Sequence, residues 1–210
     1  PEIAAVIDTH VHADNVSGLR AVAEAAGVTP SVPSAAVDRG IEHEAARRDD
    51  GDVIEVGDTE LEVRSTPGHT TGSTSLLVGD VLLSGDSLFL DGVPRPDLQG
   101  GGVDPGTLAR ELHATLTERF ADLSDRTVVA PGHVRPETTG LDTAKLGSLR
   151  ERLPAFSESR ATFVDRIIES VGDPPANHDR IVAINLGRKD VDDETAFELE
   201  LGPNNCAVTD

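Results

Sequence analysis

Apolar residues recur along this chain in short runs that stop at a glycine or a polar cluster, and their period changes as the chain proceeds. Ile3-Ala4-Ala5-Val6-Ile7 has the branched, continuous character of a buried strand and empties into Asp8-Thr9-His10-Val11-His12-Ala13-Asp14-Asn15. Residues 16–26 have helical spacing, with Asn15 or Ser17 as cap and Gly27 as stop. Residues 31–37 read as a short strand, and the polar stretch 41–52 as loop or a turn of helix. Segments 53–56 and 61–64 form a hairpin through Gly57-Asp58, and 73–78 and 81–83 form another through Gly79-Asp80. Residues 91–105, rich in Gly, Pro and Asp, are expected to hold no regular structure and to shape an entrance.

Beyond Asp104-Pro105 the period becomes helical. Leu108, Leu112 and Leu116 fall on one face of a helix running to about residue 119, which leaves His113 on its surface. A strand at 127–130 follows, then helices near 143–152, 157–171 and 177–186, punctuated by Pro154 and Pro174-Pro175. Phe156, Phe163, Ile167 and Ile168 give that part a face to pack on the sheet or on a neighbouring subunit of a homo-oligomer. The tail, 191–210, alternates briefly at 196–201. Strands first and helices later, over 210 residues, predict one α/β domain across 1–210. Its motif-bearing core spans about 3–133 and its helical part about 141–187.

Four of the strands end on metal-binding residue types. His10, His12 and Asp14 stand at i, i+2 and i+4 and share one side if the strand continues through them. Residues 60–65 run into Thr66-Pro67-Gly68-His69-Thr70-Thr71-Gly72, Val81-Leu82-Leu83-Ser84 into Gly85-Asp86, and Thr127-Val128-Val129-Ala130 into Pro131-Gly132-His133. Imidazoles and carboxylates delivered to glycine turns at strand ends are the donor set of a first-row metal site. His43 and His178, in charged stretches, read as surface residues.

Composition narrows the partners. With 18 basic against 38 acidic residues the net charge is −20, which argues against nucleic acid and anionic membranes. The acidic surface, two lysines and few aromatics fit adaptation to high salt, where a Debye length of roughly 3 Å screens self-repulsion. Cys206 is the single cysteine; no intramolecular disulfide can form, which fits a cytoplasmic setting, and Cys206 reads as a small packing residue. No run approaches the ~20 apolar residues of a membrane span.

In order, His-x-His-x-Asp, Pro-Gly-His-Thr-x-Gly, Gly-Asp and Pro-Gly-His resemble the metallo-β-lactamase superfamily. Ser84-Gly85-Asp86-Ser87-Leu88-Phe89 with Pro94-Arg95-Pro96-Asp97-Leu98 resembles its persulfide dioxygenase branch, itself close to the thioester hydrolase glyoxalase II, and the closing Pro-Pro-x-Asn and Gly-Pro-Asn-x-Cys segments share the likeness more weakly. The resemblance implies an αββα sandwich; since the chain starts nine residues before His10, where relatives carry several strands, an N-terminally truncated one is expected. It implies one Fe(II) per chain on His10, His69 and Asp86, with zinc as the alternative, and a small thiol persulfide and O₂ as reactants, with no catalytic nucleophile among the side chains. His12, Asp14 and His133 are then ligands or hydrogen-bonding neighbours, and Arg95 and Asp97 brace the site. Asn15 stands where the superfamily has a further His, which disfavours a second ion. Thioester hydrolysis is the rival reading, and a non-catalytic remnant or assembly subunit the third.

Overall fold

The computed structural model describes residues 2–134, 142–201 and 207–209, the last three by their backbone. Its centre is a six-stranded sheet of order β3-β4-β5-β6-β8-β9. The strands are β3 (Val53–Val56), β4 (Thr59–Ser65), β5 (Thr74–Val78), β6 (Val81–Gly85), β8 (Val128–Pro131) and β9 (Ala144–Lys145). β3 to β6 form an antiparallel meander, and two of its turns carry the left-handed Gly57 (φ 61°) and Gly79 (φ 60°) that a tight hairpin requires. The crossover from β6 back to a parallel β8 runs through α3 (Pro105–Ala114), so β4, β6 and β8 point the same way. α3 opens with Asp104, whose carboxylate accepts from the Thr107 amide at 2.8 Å, and Pro105 at its first position.

Alternation along the strands decides the two faces. Leu77 pairs with Leu82 toward the helices, where α3, α4 (Leu146–Arg152) and α5 (Arg160–Ser170) bury Leu112, Leu116, Phe120, Val129, Phe163 and Ile167. A fully buried Leu or Phe contributes about 1.5–3 kcal/mol, so this face carries most of the apolar stabilisation. The opposite face holds Ile54, Val63 and Leu76 under Ala5, Ile7 and Leu61, while Leu83 (37%) on the same face remains exposed. Beyond it lie α1 (Leu19–Ala26), the parallel pair β1 (Ser31–Pro33) and β2 (Ala46–Arg48), α2 (Ser34–Asp38), α6 (His178–Asn185) and α7 (Asp193–Glu200). Val11, Ala36 and Leu186 pack together there, as do Ile181, Ile184 and Leu199.

Several expectations need correction. Residues 3–7 form no strand; Ile7 alone bridges to Ser31, and the segment lies across the sheet. Residues 31–37 divide after Pro33 into β1 and α2, and β2 occupies part of the expected 41–52 loop. The 91–105 loop contains β7 (Gly92–Pro94), paired with β10 (Ala207–Thr209). α1 starts at Leu19 with Gly18 before it; Ser17 Oγ accepts from the Leu19 amide at 3.0 Å, and Asn15 caps nothing. The expected α3 ends at Ala114 and continues as a wider π turn, Thr115–Arg119. His113 is buried, not exposed: α5 closes over it, with Phe163 edge-on at 5.3 Å and Nε2 3.1 Å from the Glu158 carbonyl. The alternation at 196–201 is helix α7, so the helical part runs past 187. Cys206 and the Gly-Pro-Asn-x-Cys segment lie outside the described residues. Among those described, no helix is long and apolar enough to cross a membrane.

Candidate metal centre

Because β4, β6 and β8 run in one direction, their C-terminal ends open on one edge of the sheet. His69 follows β4, Asp86 follows β6 and His133 follows β8. The first motif joins them there: the Thr74 amide at the start of β5 donates to the Thr9 carbonyl at 2.9 Å. The His69 loop is seated against α3 and its continuation, where Thr115 Oγ1 donates to the Pro67 carbonyl at 2.7 Å. Gly68 (φ 146°) is required at that contact, since a Cβ would lie 2.5 Å from Leu112 Cα.

One donor atom each from His10, His69 and Asp86 falls within 4.8 Å of the others, and all three side chains are buried. Asp86 Oδ2 lies 3.8 Å from His10 Nε2 and 4.0 Å from His69 Nε2. His10 Nε2 and His69 Nε2 have no hydrogen-bond partner among the described residues, while Asp86 Oδ2 meets His133 Nε2 at 3.2 Å. Buried polar atoms without partners are costly, and two such imidazole nitrogens converging on a carboxylate oxygen fit a cation that all three would bind. A triangle of this size puts its centre a little beyond the ~2.0–2.2 Å of an imidazole or carboxylate bond to a divalent ion. The imidazoles are prepared for it. His69 Nδ1 donates to the Arg95 carbonyl at 2.8 Å, which leaves the Nε2 lone pair facing inward. His10 is held neutral: burial, then the neighbouring His12, His69, His133 and Arg39, push its pKa well below the usual imidazole value.

The other motif residues are arranged differently. The segment 10–15 bends rather than alternates, so its three candidates diverge. His12 stays beside His10, ring centroids 4.2 Å apart, but its Nε2 is 3.9 Å from Asp8 Oδ1 and it does not join the three-donor group. Asp8 accepts both of its contacts from Ser17 Oγ, at 2.9 and 2.7 Å; burial raises its pKa, against the opposing pull of His12 and Ser17. His133 Nε2 sits 3.1 Å from Asp14 Oδ2 and 3.2 Å from Asp86 Oδ2. The carboxylates of Asp14 and Asp86 raise His133 to about 10 against the effect of burial. Burial pushes Asp14 upward, yet His133 outweighs it and brings Asp14 to about 2. Asn15 Nδ2 donates to Asp14 Oδ1 at 3.1 Å, so the amide presents a donor to Asp14 rather than a ligand to an ion.

Arg95 and Asp97 form a bidentate pair, with both bonds at 2.8 Å, and the guanidinium also donates to the carbonyls of Gly172 (2.7 Å) and Asp173 (3.3 Å). With its own carbonyl on His69, Arg95 joins the metal loop to the segment after α5. The motifs did not single out four contributors. Thr9 Oγ1 meets His10 Nδ1 at 3.0 Å, Gln99 Oε1 accepts from the Thr71 amide at 2.5 Å, Thr115 anchors Pro67, and Arg39 projects its charge toward His10. None of the four is a ligand-type residue, and Gln99, Thr115 and Arg39 are revealed only by their proximity in space.

Comparison with known proteins bears on this geometry. The family model described as the metallo-beta-lactamase superfamily matches residues 1–133. Hydroxyacylglutathione hydrolase of Polaromonas sp. (strain JS666 / ATCC BAA-500) is 38% identical over 142 residues, covering 63% of this chain and 49% of its own. The mitochondrial persulfide dioxygenase ETHE1 of Bos taurus is 28% identical over 167 residues, covering 77% and 61%. The crystal structure of ETHE1 from Myxococcus xanthus superposes with a TM-score of 0.77 at 29% identity, over 90% of this chain and 79% of that one. The chain spans about half the length of the curated relatives it matches.

Proposed function

The chain belongs to the metallo-beta-lactamase superfamily, and on that premise we propose that it oxidises a low-molecular-weight thiol persulfide to sulfite at a single iron. The observation that carries this reading is the donor set itself: two unpartnered imidazole Nε2 atoms and one carboxylate oxygen, all buried and mutually within 4.8 Å, with His12 turned aside to Asp8. Two His and one carboxylate leave coordination positions open, the arrangement suited to non-haem Fe(II) and O₂. The likeness to persulfide dioxygenases in sequence and fold adds support.

His10, His69 and Asp86 would hold the iron, which would supply the redox chemistry between sulfur and dioxygen. The chain's own part is positional. The Arg95 carbonyl fixes the His69 ring, Thr9 steadies His10, and burial of all three ligands limits water. His133, partly exposed beside Asp14 and Asp86, lines the open side of the three-donor group. Overall, persulfide anion, O₂ and water give thiol, sulfite and a proton. The persulfide is already ionised near neutral pH, so no general base is needed to activate it.

Thioester hydrolysis is the second reading, favoured by the likeness to hydroxyacylglutathione hydrolase and by Asp14 and His133 standing beside Asp86. It relies on metal-activated water, commonly between two ions. Asn15, donating to Asp14, weighs against a second ion. Protein prepared anaerobically and without chelators is expected to hold about one iron per chain and to consume O₂ with a persulfide. Two zinc ions and thioester cleavage without O₂ uptake would transfer the assignment to the hydrolase. A chain that retains no metal would support neither, leaving the remnant or assembly subunit.

A further inference from the structure

Behind the His69 loop lies a cavity of about 400 Å³ lined by Arg39, Arg188, Gln99, the Gly100-Gly101 turn and the apolar Val182 and Leu186. That volume suits a small ligand. Its floor is shared with the metal motif: Leu186 packs on Val11, and Val182 on Ala13 and Leu98. Its wall is shared too, since Gln99 accepts from Thr71 through Oε1 and from Arg39 Nη2 through its carbonyl, at 2.5 and 2.8 Å.

The arginines are out of keeping with the rest of the molecule. In a chain with 38 acidic residues against 18 basic ones, a guanidinium drawn even partly inward should find a carboxylate, as Arg95 does in Asp97. Arg39 has none among the described residues. Its Nη2 bonds a neutral carbonyl, its buried Nη1 has no partner, and the charge nearest to it in effect is another cation, Arg188. Burial and Arg188 together bring the Arg39 pKa down to about 10. Arg188 spends one nitrogen on the carbonyls of Arg39 and Gly40 and stands 3.9 Å from Glu42. Asp179, the one carboxylate on the rim, is solvent-exposed and lies 3.3 Å from His178 Nε2. A partly buried cation with a buried, unfilled donor, facing a second cation across a cavity, lacks a counter-ion.

We propose that this cavity receives an oxyanion, a carboxylate or a sulfur oxyanion, held by the guanidiniums of Arg39 and Arg188. The planar, forked donors of arginine match such a group, and the Gly100-Gly101 turn carries no side chain to obstruct it. The anion has two sources, a carboxylate on the thiol substrate or a free anion. The first rests on the persulfide reading; the anion site itself does not.

Calorimetric titration of the metal-loaded chain with sodium sulfate, at ionic strength held constant with KCl, tests the site. Saturable binding is expected, weakened about ten-fold or more in Arg39→Gln, weakened less in the solvent-facing Arg188→Gln and partly restored in Arg39→Lys. Circular dichroism establishes that each variant is folded, and Arg188→Gln keeps the test available if Arg39→Gln is not. Absence of saturable binding, or equal affinity in wild type and the folded variants, overturns the proposal. A second arm compares propionate with 3-mercaptopropionate. Tighter binding of the thiol acid makes the anion part of the substrate, whereas equal binding, lost in both cases with Arg39, makes it a free anion at the same site. Failure of O₂ uptake leaves the sulfate result standing, so the two readings fail separately.

Discussion

Replacing Gly132 with alanine perturbs the metal centre through one atom. An added Cβ would lie 2.6 Å from Asp86 Oδ1, and 3.2 and 3.3 Å from the Gly85 carbonyl carbon and oxygen. Ordinary contact begins at 3.4 Å, so the carboxylate must yield by 3.4 − 2.6 = 0.8 Å. Gly132 cannot recoil freely, because its amide donates to the Gly85 carbonyl at 2.9 Å. Metal–ligand distances tolerate only about ±0.2 Å, so the shift is several times what the bond accepts. Gly132 is not among the left-handed glycines, and the effect is steric rather than conformational. We expect metal affinity to fall about 10–100-fold, or ~1.4–2.7 kcal/mol, with ~1–3 kcal/mol of global stability lost to overpacking. Competition with a chromogenic chelator reads the first quantity and urea unfolding the second. Gly147→Ala is the control, since its Cβ would crowd Asp125 Cβ at 2.8 Å, away from the site, and should cost stability while leaving metal affinity unchanged. Wild-type affinity in Gly132→Ala, or an equal loss in both variants, would refute the reasoning.

Asn15→His replaces the amide that donates to Asp14 with an imidazole, and elemental analysis is expected to move from about one metal per chain toward two; a count that stays at one would show that Asn15 is not what suppresses the second ion. In metal-free protein the folded His133 pKa of about 10 exceeds the unfolded value of 6.5, so its stabilisation is complete below pH 6.5 and lost as pH rises through about 10. Urea midpoints from pH 6 to 10 should show that decline in the wild type and lack it in His133→Gln, and identical profiles would contradict it. With a net charge of −20, self-repulsion reaches across roughly 30 Å at 0.01 M salt and roughly 3 Å at 1 M, so circular dichroism should show reversible unfolding in dilute buffer and recovery in molar KCl; indifference to salt would exclude the high-salt reading.

The hairpins and the three donors were legible because both are local signals. Each hairpin is an alternating pair around a Gly-Asp turn, and each donor sits within four residues of the end of a short strand-like run. His113 was misread because the leucine stripe of α3 describes one contact face, whereas α5 packs on its flank and a separate segment decides that burial. Residues 3–7 have strand composition without strand pairing, since a run can be apolar in order to lie on a sheet as well as to join one. α7 was within reach: Asp192 caps it by accepting from the Thr195 amide at 2.8 Å, and Asp193 and Glu194 fill the first turn. Arg39 was not, because a lone arginine at the end of a five-residue helix has no pattern, and its isolation from acids exists only in three dimensions.

Arg95 gives the molecule a dependence that ligand-counting would overlook. Its carbonyl holds His69 while its guanidinium grips Gly172 and Asp173, nearly eighty residues downstream. The stretch that contains every candidate ligand is therefore not a transplantable cassette. Grafted onto another scaffold without its distal partner, it would carry each candidate donor and still leave one ring free to swivel.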